Sequence, residues 1–197
     1  MSALPQKSFV EMTEEEYLAF ERASQFKHEF RNGEVIAMVG ASERHTLIAG
    51  STHYSLYGQL RDRPCKVYLE TMRVKIRAVK VNTYPDISVI CGEPQFADRE
   101  FDTLINPTLI IEVLSPSTET YDRGRKFSYY RALGSLQEYV LISQDSPHIE
   151  RYIRQNHDGW LLTEAQGLEA SIELTSIDCT LKLAEVYEQI DFSDTEP

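Results

Sequence analysis

Each of two short apolar runs carries an acid at its heart: Asp86 in Tyr84-Pro85-Asp86-Ile87-Ser88-Val89-Ile90, and Glu112 in Thr108-Leu109-Ile110-Ile111-Glu112-Val113-Leu114-Ser115. Runs this rich in Ile, Val and Leu, opened by a proline and bounded by polar stretches, read as strands buried on both faces. Such strands are poor hosts for charge. A lone carboxylate taken out of water is strongly disfavoured unless it is paired, hydrogen-bonded or bound to a metal. Two of them, 26 positions apart on strands that can be neighbours, point to a shared site for a cation.

The rest of the chain sets the frame for that site. A length of 197 residues suits one domain, expected over residues 1–190, with an acidic tail from 191 to 197 expected to fray. Lys and Arg total 20 against 31 Asp and Glu, a net charge of −11, which argues against a surface built for tight non-specific DNA binding. Cys65, Cys91 and Cys179 are odd in number, far apart and without a Cys-x-x-Cys pair, so neither a disulfide framework nor a cysteine zinc site is expected. A reducing compartment fits that usage. Residues 1–8 lack the apolar core of a signal peptide, and no run approaches the roughly 20 residues of a membrane span. The expectation is a soluble, cytoplasmic protein.

Local signals order the elements. Thr13-Glu14-Glu15-Glu16 is a capping box that starts a first helix, and Asn32-Gly33 predicts a tight hairpin turn ahead of Glu34. Leu47, Tyr54, Tyr57 and Leu60 lie near helical spacing in a long helix over about 43–60. Strands are expected at about 66–76, 86–91 and 109–115, with a surface loop from 92 to 106. A second helix over 121–133, a strand at 136–142 and a hairpin around Asn156-His157-Asp158-Gly159 follow.

Helix, three strands, helix, strand is the core order of the restriction endonuclease-like fold, a mixed α/β (α+β) class. Here it would carry an N-terminal helix and β-hairpin and a C-terminal β extension. Pro85-Asp86, then Ile111-Glu112-Val113-Leu114-Ser115-Pro116-Ser117-Thr118, then Asp122, Lys126, Tyr130 and Glu138-Tyr139 resemble the Uma-two family, assigned to the PD-(D/E)xK nuclease superfamily. The resemblance implies a metal-dependent endonuclease hydrolysing the phosphodiester bonds of nucleic acid, DNA foremost. Magnesium or manganese would be held by Asp86, Glu112 and the backbone carbonyl of Val113; these are hard oxygen donors suited to such ions. The family motif places a lysine two residues after the glutamate, and this chain has Leu114 there.

Lys126 is the candidate replacement. Asp122, Lys126 and Tyr130 recur at four-residue spacing along one helix face, which can carry the ammonium over the third strand. The same spacing also describes an ordinary surface pair of Asp122 with Lys126, worth about 0.2–0.5 kcal/mol. Asp86 has its own alternatives, capping its strand or pairing with Arg73, Lys75 or Arg77. Glu34 is a further candidate metal ligand, or an exposed hairpin acid. His45, near the start of the long helix, either approaches the active site or stands in solvent, the commoner case, and Tyr130 is expected in the core. Arg123-Gly124-Arg125-Lys126 is either a phosphate contact or an exposed helix face. Two functional alternatives stand beside the nuclease: a nuclease-fold module that no longer cuts and serves as a binding or regulatory partner, and a glycosidase built on paired carboxylates. A homodimer is expected, since cutting both strands of a duplex calls for two sites or one site used twice.

Overall fold

The computed structural model describes residues 10–156 and 159–192. In chain order the elements are β1 (Val10–Glu11), α1 (Glu14–Ala23), β2 (His28–Arg31), β3 (Glu34–Ala37), α2 (Glu43–Leu60), β4 (Cys65–Leu69), β5 (Arg73–Ile76), β6 (Val81–Thr83), β7 (Ile87–Cys91), β8 (Thr103–Leu104) and β9 (Leu109–Val113). Then come α3 (Glu119–Tyr121), a π-helical turn (Asp122–Lys126), α4 (Phe127–Tyr130), β10 (Glu138–Ile142), β11 (His148–Arg154), β12 (Trp160–Gln166), β13 (Ser171–Leu174), β14 (Cys179–Lys182) and α5 (Leu183–Val186).

The larger sheet runs β12-β11-β10-β9-β7-β4, with β9 and β10 parallel and its other pairs antiparallel. It carries the expected order of helix, three strands, helix, strand as α2, β4, β7, β9, α3 to α4, β10. Alternation along the strands divides the core. Ile87, Val89, Ile111, Val113, Val140 and Ile142 pack with Ile48 and Leu56 of α2, whereas Ile90, Ile110, Leu114, Tyr139 and Leu141 pack with Phe127 and Tyr130 of α4. Glu112 shares the parity of Ile110 and Leu114, so a period of two turns it toward the face that α3 and α4 cover.

A smaller sheet, β1-β3-β2-β6-β5-β8, stands beside the first. Its β2–β3 hairpin turns on Asn32 and Gly33, whose φ angles of 49° and 104° are the left-handed values such a turn requires. The capping box at Thr13 closes both of its hydrogen bonds. α2 matches the predicted range, and Ser42 accepts from the His45 amide as its cap.

Several expectations change. The strand predicted over 66–76 is two strands in different sheets, joined by a turn in which the Met72 amide donates to the Leu69 carbonyl. The loop over 92–106 contains β8, and Asn106 ties it together by bonding the Gln95 amide and the Glu93 carbonyl. The helix predicted over 121–133 begins at Glu119 and passes through the π-helical turn. Cys65 and Cys91 form a disulfide, contrary to the cysteine count, because the antiparallel register of β4 and β7 sets them directly opposite. Disulfides are rare in reducing compartments, so the pairing weighs against the expected cytoplasmic setting. Of the tail, Asp191 and Phe192 are held by Arg44, whose guanidinium bonds the Asp191 carbonyl and lies over the Phe192 ring. Residues 193–197 and the expected turn residues His157 and Asp158 lie outside the described residues. Among the described residues, no helix is long and apolar enough to cross a membrane.

Candidate active site

β7 and β9 pair with Ile87 opposite Ile111, so one step further the ladder sets Asp86 opposite Glu112. The two acids thus meet at the same end of adjacent strands. The Val113 amide donates to Asp86 Oδ2 at 2.7 Å, and His45 Nε2, in the first turn of α2, lies 3.1 Å from the same oxygen. Burial disfavours a charged His45, but the hydrogen bond and charge of Asp86 more than offset it and raise the imidazole pKa.

Glu112 is only 3% exposed. Its Oε1 accepts from Lys126 Nζ and from the Tyr130 hydroxyl, both at 2.7 Å. Lys126, also buried, lies 3.4 Å from Asp122 and 4.0 Å from Glu29 as well. The π-helical turn that ends at Lys126 widens the helix by one residue over the third strand of the core, a distortion that often marks functional sites. Burial pushes the Glu112 carboxyl up, and the charges of Asp86 and Asp122 push the same way against the pull of Lys126. Desolvation would strip the proton from Lys126, but Glu112, Glu29 and Asp122 together hold it on. Glu29 goes the other way from Glu112: burial would raise it, yet Lys126, Arg31 and Thr83 bring it below the usual carboxylate range.

These side chains line a cleft of about 710 Å³ between the hairpin β2–β3, the start of α2 and the α3 region. Glu29, Asp86, Glu112 and Asp122 outnumber Arg31 and Lys126 along it, while Glu70 is matched by Lys27. Asp86 commits only Oδ2 and Glu112 only Oε1, so each carboxylate keeps one oxygen with no hydrogen-bond partner among the described residues. An acid excess with two uncommitted oxygens on facing residues is a donor set suited to a hard divalent cation. A separate group, His148, Glu150 and Glu164 on β11 and β12, has its ligand atoms within 4.8 Å of one another. Glu150 there is already bonded to Arg123 and Tyr152.

A family model described as "Uma2: Putative restriction endonuclease" matches residues 14–184. The chain belongs to the Uma2 family. Two relatives from Synechocystis sp. are the uncharacterized proteins sll1609, 38% identical over 164 residues (83% of this chain, 93% of that protein), and slr1290, 33% identical over 188 residues (95% and 97%). The fold is shared with a crystal structure described as "a putative nuclease belonging to DUF820" from Anabaena variabilis, at a TM-score of 0.72 and 19% identity, covering 90% of this chain and 98% of that one.

In this Uma2 chain the structure brings Asp86, Glu112, Val113 and Lys126 to one cleft and leaves Glu34 out: it is exposed on β3 and does not line the cleft. Glu29, on the facing strand of the same hairpin, points in instead and was not foreseen. Its neighbours His28 and Phe30 offered no apolar run against which a buried charge would stand out. Of the two readings open for His45, the approach to the site holds: it contacts Asp86 because α2 begins at the cleft. Tyr130 is buried as expected, yet its hydroxyl serves Glu112. The basic cluster is spent on ion pairs and rings: Arg123 holds Glu119 and Glu150, and Arg125 holds Tyr129.

Proposed function

We propose that this Uma2 protein is a metal-dependent endonuclease that hydrolyses phosphodiester bonds of nucleic acid, DNA foremost. Asp86, Glu112 and the Val113 carbonyl would hold magnesium or manganese. The observation that carries this reading is the pairing of two facing carboxylates, each with an uncommitted oxygen, beside a buried lysine 2.7 Å from one of them. That lysine arrives from a helix, where the family motif has one on the strand.

When bound, the ion would lower the pKa of a coordinated water and offset charge growing on the phosphate. The chain's own groups do the positioning. Tyr130 and Lys126 fix Oε1 of Glu112, and the Val113 amide and His45 fix Oδ2 of Asp86, which leaves the remaining oxygens free in a held geometry. Lys126 is kept protonated by three acids, so its role is to donate hydrogen bonds to the attacking water and to the phosphate oxygens as charge builds there, not to act as a base. Residues up to about 190 would act as one catalytic domain. A homodimer belongs to the same proposal, and sedimentation velocity tests it.

Supercoiled plasmid with magnesium or manganese is the direct assay. Nicking is expected from the wild-type protein and is expected to vanish in Asp86→Asn, Glu112→Gln and Lys126→Ala, each shown to fold by circular dichroism. Nicking that persists in all three overturns the assignment. Calorimetric titration with manganese addresses the decayed-module alternative, because a protein that has lost its site binds no ion.

A further inference from the structure

The mouth of the cleft carries an apolar patch that the phosphodiester chemistry does not use. Phe26 is 75% exposed, Val39 82% and Met38 36%, and all three line the cleft that holds Asp86 and Glu112. All three lie just past the open end of the β2–β3 hairpin: His28 pairs with Ala37, the Met38 amide donates to the Lys27 carbonyl at 2.9 Å, and Phe26 and Val39 are the next residues along the chain on either side. An exposed aromatic ring and exposed aliphatic side chains thus line the same cleft, where burial would be favourable and no described residue supplies it.

Charge at the same cleft argues against an intact duplex. Lys27 is committed to Glu70, Arg31 to Glu29, and Lys126 to Glu112 and Asp122, in a chain of net charge −11. Duplex binding draws its affinity from many phosphates neutralised by free Lys and Arg, and the cleft offers few. Single-strand binders also use positive charge, but an unpaired base stacked on an aromatic ring adds affinity that needs no cation, and a base paired inside a duplex cannot supply it.

We propose that Phe26, with Met38 and Val39, seats an unpaired base of the strand whose phosphodiester lies at Asp86 and Glu112. The site therefore takes single-stranded nucleic acid, or a strand opened at the point of cleavage, in preference to intact duplex. This rests on the phosphodiester-cleaving role proposed above and adds the form of the substrate.

Fluorescence anisotropy on the full chain, with calcium in place of magnesium, measures binding of a 20-nucleotide oligothymidylate, a perfect duplex of that length and the same duplex with a central unpaired bubble. The expected order is oligothymidylate and bubble at least about tenfold tighter than perfect duplex. A bubble bound like the single strand assigns recognition to a locally opened duplex; a bubble bound like the perfect duplex restricts it to free strands. Phe26→Ala is expected to weaken oligothymidylate binding by about 5- to 150-fold, the span of a lost base stack. Phe26→Trp should retain it, with emission quenched on binding. The side chain is mostly exposed, so both variants should fold, and thermal melting verifies this. Perfect duplex bound as tightly as oligothymidylate, unchanged binding by Phe26→Ala, or no binding of any probe overturns the proposal. Plasmid nicking separates the two ideas: nicking that needs Asp86 but not Phe26 leaves the cleaving role standing without the base seat. Phe26-dependent binding with no cleavage leaves the seat and removes the cleaving role.

Discussion

Glu112 and Glu138 are two buried acids on neighbouring parallel strands, at 3% and 0% exposure, and they are solved in opposite ways. Glu138 has both oxygens committed: Oε1 accepts from the Thr175 amide and hydroxyl at 3.0 and 2.9 Å, Oε2 accepts from Ser176 at 2.7 Å, and Arg151 stands 3.8 Å away. It fastens the β13–β14 hairpin region to the main sheet. Glu112 commits one oxygen, lines a cleft and shares its cation with Asp122. Burial alone therefore does not separate a structural acid from a site acid. What separates them is whether an oxygen is left over and whether anything can reach it.

The sharpest way to break this contrast is to neutralise each acid in turn. Glu112→Gln is expected to lower nicking about 10³-fold, the loss of several kcal/mol of transition-state stabilisation. Its urea unfolding free energy should fall by less than the roughly 3–5 kcal/mol of a broken buried pair, since Asp122 and Glu29 still surround Lys126. Glu138→Ala should do the reverse. It removes the acceptor of Thr175 and Ser176 and leaves the Arg151 charge with only the Thr163 hydroxyl and the Glu173 carbonyl, and urea titration should show a loss of about 3 kcal/mol, with nicking per folded molecule retained. If the two variants behave alike, the distinction fails.

The β4–β7 side of the sheet, which leads to Asp86, is held by the Cys65–Cys91 bond across a 26-residue separation. Closing a loop of that length restricts the unfolded chain by about 3 kcal/mol, so Cys65→Ser with Cys91→Ser should lower the urea midpoint accordingly. An unchanged midpoint would mean that the β4–β7 ladder suffices by itself.

Asp102 offers a third, half-exposed kind of acid. Burial would raise its pKa, but hydrogen bonds from Arg22 and Thr103 and the charge of Arg73 hold it well below the ordinary carboxylate range. A depressed folded pKa contributes stability that is present above the unfolded value, near 3.9, and is lost as pH falls toward the folded one. Urea midpoints measured between pH 6 and pH 3 should therefore fall by a smaller amount in Asp102→Asn than in the wild type. Equal slopes would remove Asp102 from the acid response.

Much of the candidate site was legible in the chain because charge in an apolar run is a conspicuous anomaly: Asp86 and Glu112 stood out at once. Lys126 was reachable through four-residue helical spacing and the family resemblance. Glu138 was marked only by the family resemblance. It falls early in the strand expected over 136–142, next to Gln137, where an acid is unremarkable, and its partners lie 37 and 38 residues further on. Glu29, the Cys65–Cys91 pair and the division of residues 66–76 between two sheets were hidden for a related reason. Each depends on which strand lies next to which, and alternation within one strand does not encode its neighbour.

Sequence by itself determined the elements whose physics is local: the capped first helix, the Asn32-Gly33 turn, the long helix α2 and the two apolar strands that could not hold an acid without a partner. Tertiary structure decided which partners those acids have. The β7–β9 register set Asp86 against Glu112, the π-helical turn delivered Lys126, and the hairpin brought in Glu29 while leaving Glu34 in solvent. The reason is range. Propensity, capping and periodicity act over a few residues, whereas a site is a meeting of side chains up to about a hundred positions apart, fixed only when the sheets and helices pack.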